Sequence, residues 1–372
     1  MLWIPGPTEV RPEILAECAR GMIGHRSKAM VATIERIDPG LRLAFGLRAD
    51  STAHVAVHST SATAMMESAL VGAGRRVLSI VNGAFSQRWC QIAALLGQDA
   101  VALDVGWGAV VDPTELERVL TEEGPFDAVT LVSSETSTGT FTPLGSVGAV
   151  LARFPETLLL VDLVSCIAGA PVDFDANGID FGLAGVQKAL ALPPGIAVVC
   201  ASDRYLERAR AKPGRGYTLD PVLFIEGHEA RKTPATPAIS LYFALAKQLE
   251  DITGGVTLPE HERQKTGREA WTARFEKHAR MRAATIAWAK GHGLALLPEE
   301  QYGSPTVSCI RAGDVDVAAL VTGLAERGLS ISDGYGPLKG ETFRIGHMGD
   351  HTEEGLAELL AATDEVLAAI AR

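Results

Sequence analysis

The segment Thr157-Leu-Leu-Leu-Val-Asp162 decides the fold that this sequence predicts. Its apolar residues follow one another without a break, whereas a strand with one solvent face alternates apolar and polar residues. Continuous apolar runs are typical of parallel strands that helices cover on both faces. A carboxylate at the tip of such a strand, here Asp162, requires a cationic or hydrogen-bonding partner. The segment therefore predicts a buried central strand with a polar group at its carboxyl end.

Similar apolar runs alternate with helical patterns through the first two thirds of the chain. This order predicts an α/β fold with a doubly wound, parallel sheet, whose ligand sites lie beyond the carboxyl ends of the strands. The candidate strands are Ala53–Val57, Val77–Val81, Ala100–Leu103, Ala128–Val132, Leu158–Val161 and Ile196–Cys200, and the clearest helices are Ala64–Val71, Ser86–Leu96, Pro113–Thr121 and Val147–Phe154.

The pattern changes after about Gly254. We expect residues 1–254 to form a large domain, with an arm over residues 1–15, and residues 255–372 to form a smaller α+β domain. Its predicted elements are a long charged helix over Pro259–Gly291, strands near Leu294–Leu297, Thr306–Ile310, Leu329–Ser332 and Thr342–Ile345, a helix at Val317–Arg327, and a final helix that begins with a capping box at Asp350 and Glu353.

Composition excludes several classes of protein. The 372 residues include 34 Lys and Arg against 45 Asp and Glu, a net charge of −11, so we expect no nucleic-acid or membrane partner. Five widely spaced cysteines form no Cys-x-x-Cys pair, and we expect no metal site. The first residues do not resemble a signal peptide and no apolar run has the length of a membrane span, so the expected location is the cytoplasm.

Lys188 is the residue most suggestive of chemistry. It lies among apolar neighbours in the segment Gly185-Val-Gln-Lys-Ala-Leu-Ala-Leu-Pro-Pro-Gly195. A buried lysine has a lowered pKa and can attack aldehydes; the alternative is a lysine on a surface loop. Asp162 could hold a protonated pyridine nitrogen, or it could be an ordinary carboxylate in a strand-to-loop turn.

Two polar segments follow predicted strands and could bind an anion. Ser61-Ala62-Thr63 opens a predicted helix, where backbone N–H groups favour a phosphate. Glu135-Thr136-Ser137-Thr138-Gly139 follows the strand Ala128–Val132 in the same way. Simple helix capping is the alternative for both segments, and for Ser61–Thr63 taken alone it is the better explanation.

The order and spacing of these motifs resemble the class V aminotransferases of fold type I, in particular their alanine/serine–glyoxylate branch. The resemblance covers nearly the whole chain and implies a fold type I transferase with a mainly parallel, seven-stranded sheet. The motifs that carry it are Pro5–Thr8, Gly24–Ser27, Ser61–Thr63 with Glu67, Asn82–Arg88, Glu135–Gly139, Val161-Asp162, Gln187–Leu190, Thr233–Pro237 and Phe343–Gly346.

The resemblance implies pyridoxal 5'-phosphate as the cofactor and gives each matching residue a role. Lys188 would form the aldimine with the cofactor and then move the substrate's α-proton, while Asp162 would keep the pyridine nitrogen protonated. Phe85 would stack on the cofactor ring, and Thr136 would contact the polar edge of the ring. The phosphate would be bound by Ser61, Ala62, Thr63 and Gln187, and Thr236 would reach the phosphate of the neighbouring subunit. The substrate would be bound by Arg344, Gly6, His25 and Arg26. Ala62 stands where the family often has Gly, and Phe85 where it often has Trp or Tyr.

The implied function is transfer of an amino group from alanine or serine to glyoxylate or pyruvate, in a homodimer with active sites at the subunit interface. The main alternative is a phosphoserine aminotransferase, because His25-Arg26-Ser27-Lys28 also resembles the phosphate-binding run of those enzymes. His228, Arg231 and Lys232 could add positive charge to such a site.

Two further alternatives carry less weight. A cysteine desulfurase requires a mobile cysteine, whereas Cys309 lies in a predicted strand. A non-catalytic scaffold of the same fold has no need of Lys188, Asp162 and Arg344 together.

Overall fold

The computed structural model describes residues 1–370, and its central element is a seven-stranded sheet. The strand order is β1-β9-β8-β7-β4-β2-β3, and only β9 runs antiparallel to its neighbours. The strands are β1 His54–His58, β2 Arg76–Val81, β3 Asp99–Asp104, β4 Ala128–Val132, the short hairpin of β5 Ser134–Glu135 and β6 Thr140–Phe141, β7 Leu158–Asp162, β8 Phe181–Gly185 and β9 Ala197–Ala201. The predicted α/β fold with a mainly parallel sheet is confirmed.

Helices cover both faces of this sheet. Along β7, Leu159 and Val161 belong to one apolar cluster, and Leu158 and Leu160 belong to another. Successive side chains of a strand point to opposite faces, so both faces of β7 are buried, as its unbroken apolar run predicts. Each fully buried leucine contributes about 1.5–3 kcal/mol to folding.

The helices fall in the intervals between strands for most of the chain. Their bounds are α1 Pro12–Cys18, α2 Lys28–Ala44, α3 Ala62–Ala73, α4 Ala84–Leu95, α5 Pro113–Glu122, α6 Leu144–Leu151, α7 Asp203–Arg210, α8 Pro221–Glu229, α9 Ile239–Thr253, α10 Gly267–Gly291, α11 Val317–Ala325 and α12 Glu353–Ile370. None of these helices, which cover the chain as far as residue 370, is both long and apolar enough to cross a bilayer.

The C-terminal part contains a separate antiparallel sheet in the order β10-β12-β11. Its strands are β10 Val307–Arg311, β11 Ser332–Asp333 and β12 Thr342–Gly346. The predicted strand near Leu294–Leu297 is reduced to a single bridge between Leu296 and Ile310. The buried Trp3 side chain packs into the apolar cluster of this sheet, and the Trp3 backbone N–H donates to the Ser330 carbonyl over 2.8 Å. The first residues of the chain therefore lie against the C-terminal unit.

The capping box predicted at Asp350 is wrong. The Thr352 hydroxyl caps the start of α12 instead, because it accepts a hydrogen bond from the Gly355 N–H over 3.0 Å. The Asp350 carboxylate is buried and accepts from the side chains of Arg11, Arg274 and Gln248. Three side-chain donors thus hold the carboxylate that the sequence assigns to the helix terminus.

Candidate active site

A cavity of about 410 Å³ lies beyond the carboxyl ends of β4, β7 and β8. The sequence-predicted residues that line it are Gly6, Ser61, Ala62, Thr63, Phe85, Thr136, Asp162, Gln187, Lys188 and Arg344. They come from segments far apart in the chain. The parallel strands place most of them at one edge of the large sheet, while Gly6 comes from the first residues and Arg344 from the small antiparallel sheet.

Lys188 lies at the centre of this cavity, in the tight turn that follows β8. Its side chain is buried, and its Nζ donates hydrogen bonds of 2.6 Å to Thr136 Oγ1 and to Ser165 Oγ. Burial lowers the pKa of the Lys188 amine to about 8. The side chain is further enclosed by Gly6, whose φ of +115° suits glycine and where a Cβ would lie 2.9 Å from Lys188 Cγ.

Asp162 provides the negative charge of the cavity. It is the last residue of β7, 4% exposed, and its Oδ1 accepts a hydrogen bond of 2.8 Å from the Val164 N–H. Burial raises the pKa of this carboxyl to about 6, while the Val164 N–H and the charge of Lys188 act in the opposite direction. The carboxylate is therefore ionised at neutral pH and faces a cavity that can accept a cationic partner.

The N-terminus of α3 forms the wall that is suited to an anion. The Ser61 hydroxyl caps the helix by accepting from the Ala64 N–H over 3.2 Å. Within residues 1–370 the backbone N–H groups of Ala62 and Thr63 have no hydrogen-bond acceptor. The predicted capping role and the predicted anion site are thus compatible. Ser61 satisfies the N–H group of Ala64 and leaves those of Ala62 and Thr63 available to an anion.

An aromatic ring and a second cation lie beside that helix terminus. The Phe85 ring centroid is 5.4 Å from Lys188 Nζ and 4.8 Å from the Arg88 guanidinium carbon. Arg88 also donates to Thr63 Oγ1 over 3.1 Å. Arg88 was part of a recognised motif but had no predicted role, and the structure makes it a wall of the cavity.

Arg344 lies opposite, on the central strand of the small sheet. Its Nε and Nη2 donate to the Asp333 carbonyl over 3.1 and 3.0 Å, and its Nη1 donates to the Thr136 carbonyl over 3.2 Å. These bonds fix the plane of the guanidinium, and Tyr335 covers it with the ring centroid 5.6 Å from the guanidinium carbon. A fixed planar fork is well suited to a carboxylate.

Three predicted site residues do not line the cavity: Thr236, His25 and Arg26. Thr236 and Arg26 are exposed, and His25 is half-buried. Two members of the basic group that could have joined them are engaged elsewhere, because His228 contacts Asp38 Oδ1 over 2.8 Å and Arg231 pairs with the same carboxylate. Roles for these residues that depend on a second subunit stay predictions.

Sequence reasoning missed Ser165 and the function of Glu135. Ser165 follows Asp162 by three residues, so its place after a buried strand was the available signal. Glu135 is fully buried, and its carboxylate accepts from the N–H groups of Phe85, Ser86 and Ser137 and from the Ser137 hydroxyl. It caps the start of α4 from another segment and thereby holds the Phe85 ring in place.

Two other residues considered from sequence lie outside this chemistry. Cys309 is fully buried in β10, and burial raises the pKa of its thiol to about 11. This confirms the predicted strand and gives a poor nucleophile. His347 is fully buried, and its Nε2 lies 2.9 Å from Ser308 Oγ; burial lowers its pKa to about 3. It does not line the cavity.

A buried lysine and a buried carboxylate at the edge of the large sheet, facing an arginine fork on the small sheet, define a transferase of the aminotransferase type. The chain belongs to the class V aminotransferases, because the family model "Aminotransferase class-V" matches residues 20–335. This family is known to depend on pyridoxal phosphate.

Three similar proteins illustrate the range of the family. A solved aspartate aminotransferase of subgroup IV from Thermus thermophilus is 30% identical, with a TM-score of 0.86 over 99% of each chain. A solved alanine–glyoxylate aminotransferase from Nostoc sp. is 29% identical, with a TM-score of 0.88 over 98% of this chain and 94% of its own. The serine–glyoxylate aminotransferase of Methylorubrum extorquens is 28% identical over 98% of this chain and 90% of its own.

Proposed function

We propose that this protein is a pyridoxal-phosphate-dependent transaminase that moves the amino group of alanine or serine to glyoxylate or pyruvate. The observation that carries the proposal is the buried Lys188 amine, held by two hydroxyl groups in the same cavity as Asp162 and Arg344. A lysine of this kind is a nucleophile for an aldehyde.

The residues of the cavity fit the cofactor group by group. The Ala62 and Thr63 N–H groups offer donors for a phosphate, and Arg88 adds a positive charge beside them. Phe85 offers an apolar face for an aromatic ring. Asp162 offers the carboxylate that a protonated pyridine nitrogen requires, and Lys188 offers an amine whose pKa of about 8 leaves an appreciable neutral fraction.

Pyridoxal phosphate, when bound, supplies an electron sink for the pair left behind at the substrate's α-carbon. The protein's own part is to bind the substrate, orient it and move one proton. Arg344 binds the α-carboxylate through its fork and fixes the orientation of the α-carbon. The neutral Lys188 amine takes up the α-proton, and the hydroxyls of Thr136 and Ser165 hold its Nζ in position.

The choice of substrate rests on the names of the similar proteins and on the size of the site. Two of the three act with glyoxylate according to their names, whereas the named amino donors are serine, alanine and aspartate. Tyr335 lies between Phe85 and Arg344, 5.7 Å from the Phe85 ring centroid, and restricts the room beside the carboxylate fork. We therefore favour a donor with a small side chain.

The proposal extends to a homodimer in the cytoplasm. The exposed position of Thr236 is compatible with contact to a second subunit, which is the role that the family resemblance implies. Sedimentation of the purified protein measures the assembly directly. A monomeric protein with full activity would remove the partner's Thr236 from the site.

The function is tested by the visible absorbance of the purified protein after addition of pyridoxal phosphate, and again after addition of alanine, serine, aspartate or phosphoserine. We expect a visible band that bleaches with alanine or serine and returns with glyoxylate. Lys188→Arg is the matched control, because it keeps a cation of similar length but cannot form the covalent link. Bleaching with phosphoserine alone would instead place His25 and Arg26 at a phosphate subsite, and no band at all would refute the proposal.

A further inference from the structure

Arg274, on helix α10, is completely buried and is not part of the cavity wall. Its Nε donates to the Ala168 carbonyl over 3.1 Å, and its Nη2 donates to the Ala189 carbonyl over 2.6 Å. Its Nη1 donates to Asp350 Oδ1 over 2.8 Å. One planar group therefore joins two backbone segments and a carboxylate.

The two backbone segments are the loops that carry the reactive side chains. Ala168 lies in the turn that follows Asp162 and contains Ser165, and Ala189 directly follows Lys188. Within residues 1–370 no backbone N–H donates to either carbonyl, so Arg274 supplies the hydrogen bond that each requires. The loops also touch, since a Cβ on Gly169 would lie 3.3 Å from the Ala189 Cβ.

The Ala168 backbone shows why an external contact is needed. Its φ is +61°, in the left-handed region that residues other than glycine seldom adopt. Such a conformation costs free energy and persists only where the surroundings impose it. The hydrogen bond from Arg274 to this carbonyl acts at the strained residue itself.

The charge of Arg274 is balanced within the same group of residues. Burial disfavours the charged form of Asp350, but the charges of Arg274, Lys277 and Arg11 outweigh this effect and lower the pKa of the carboxyl. Asp350 Oδ2 also accepts from Arg11 Nε over 2.7 Å. The Arg274 guanidinium is thus held by an ionised partner that is itself anchored, which suits a rigid connection.

We propose that Arg274 is a positioning residue for the transamination proposed above: it fixes the Ser165 loop relative to the Lys188 turn and so sets the contact between Lys188 Nζ and Ser165 Oγ. That contact is 2.6 Å, and any relative slip of the two loops changes it directly. A slip also admits water to the amine, which weakens the effect of burial on it.

The geometry requires arginine rather than any cation. A guanidinium presents donors along two edges of one plane, whereas a lysine ammonium is a single point on a flexible stem. Arg274→Lys therefore keeps the charge beside Asp350 and loses the fixed link between the two carbonyls. Arg280→Lys is the matched control, because Arg280 lies on the same helix and binds Glu353 through its fork, away from the loops.

The experiment compares both variants with the wild-type protein at saturating pyridoxal phosphate. For Arg274→Lys we expect kcat to fall about tenfold or more, because small displacements of catalytic groups are costly, while KM for the amino donor stays nearly unchanged because Arg344 is untouched. We also expect the pH midpoint of the visible band to move beyond any shift seen in Arg280→Lys. If kcat and the midpoint both match those of Arg280→Lys, Arg274 serves stability alone and the proposal is overturned, whatever the change in melting temperature.

A second variant keeps the test decisive if Arg274→Lys does not fold. Asp350→Asn leaves the guanidinium in place but removes its counter-charge, and we expect a smaller fall in kcat with a midpoint shift in the same direction. An unchanged kcat and midpoint in a folded Asp350→Asn protein would overturn the proposal. The pH midpoint of the visible band is measured without any amino donor, so it does not depend on transamination. If the wild-type protein transaminates none of the tested donors, the proposed function is refuted, but the effect of the variants on the midpoint can still be interpreted.

Discussion

The reaction of Lys188 with pyridoxal phosphate is expected to depend on pH with a midpoint near 8. The neutral amine is the nucleophile, and burial lowers its pKa from 10.5 to about 8. At pH 8 about half of the Lys188 amine is neutral, whereas a lysine with the ordinary value would be neutral in about one molecule in 300. The rate should therefore rise up to about pH 8 and level off above it, well before an exposed lysine would reach its maximum.

Replacing Asp162 with Asn tests the direction in which the Asp162 charge shifts the pKa of Lys188. The carboxylate is ionised above its pKa of about 6, and its charge favours the protonated form of Lys188. Its removal takes away the largest charge that opposes the desolvation of the amine, so the midpoint should fall below 8. Opposite charges at close range shift a pKa by about one unit or more, so a fall of that size is expected.

Stopped-flow absorbance measures the effect when protein freed of cofactor is mixed with pyridoxal phosphate at a series of pH values. N-acetyl-lysine, mixed under the same conditions, corrects for the ionisation of the cofactor itself. Lys188→Arg should lose the covalent phase entirely. A wild-type midpoint near 10.5 would show that Lys188 is exposed in solution, and an upward shift in Asp162→Asn would refute the assigned electrostatics.

Three shorter predictions concern two residues that line the cavity, Arg344 and Tyr335, and one that holds helix α4 beside it, Glu135. Arg344→Ala should raise KM for carboxylate substrates about 10- to 150-fold, the equivalent of losing charge-assisted hydrogen bonds of about 1.5–3 kcal/mol; an unchanged KM in steady-state assays would remove Arg344 from the substrate site. Glu135→Gln should lower the free energy of unfolding in urea by about 1–3 kcal/mol, because the amide turns donors towards the donors of α4; equal stability would mean that the cap is dispensable. Tyr335→Ala should raise kcat/KM for norvaline relative to alanine, and an unaltered ratio would show that the ring does not limit side-chain size.

The sequence predicts most of the large sheet because most of its strands are buried and apolar on both faces. The strand that was absent from the predicted set is β8, Phe181–Gly185, whose five residues include Gly182 and Gly185 and no β-branched side chain. β8 is buried because it lies between two other strands of the sheet, and this arrangement cannot be read from its own five residues. The capping box at Asp350 failed for a similar reason, because its partners Arg11, Arg274 and Gln248 lie far away in the chain.

The residues of the candidate site also fall into two groups: those that the local sequence reveals and those that depend on tertiary contacts. Lys188 could be identified from its apolar neighbours, Asp162 because it ends an apolar strand, and Ser61 because it opens a predicted helix. Ser165 could not be weighed before the path of its loop was known, and Glu135 acts on helix α4 from a different segment. Thr236, His25 and Arg26 were placed at the site by family resemblance, and no contact within one subunit draws them to the cavity.

The pairing of the first residues with the C-terminal sheet has a consequence for how the enzyme is made. Trp3 bonds to Ser330 and Gly346, and Gly6 encloses Lys188. Trp3 is synthesised before its partners Ser330 and Gly346, which follow more than 300 residues later, and at about 5–20 residues per second this is a delay of roughly 15 to 70 s. Throughout that interval the sheet can fold while the Lys188 turn stays open on one side. Synthesis of the last segment, rather than of the lysine itself, therefore completes the catalytic centre, and a chain truncated before β12 should retain the large sheet without a closed site.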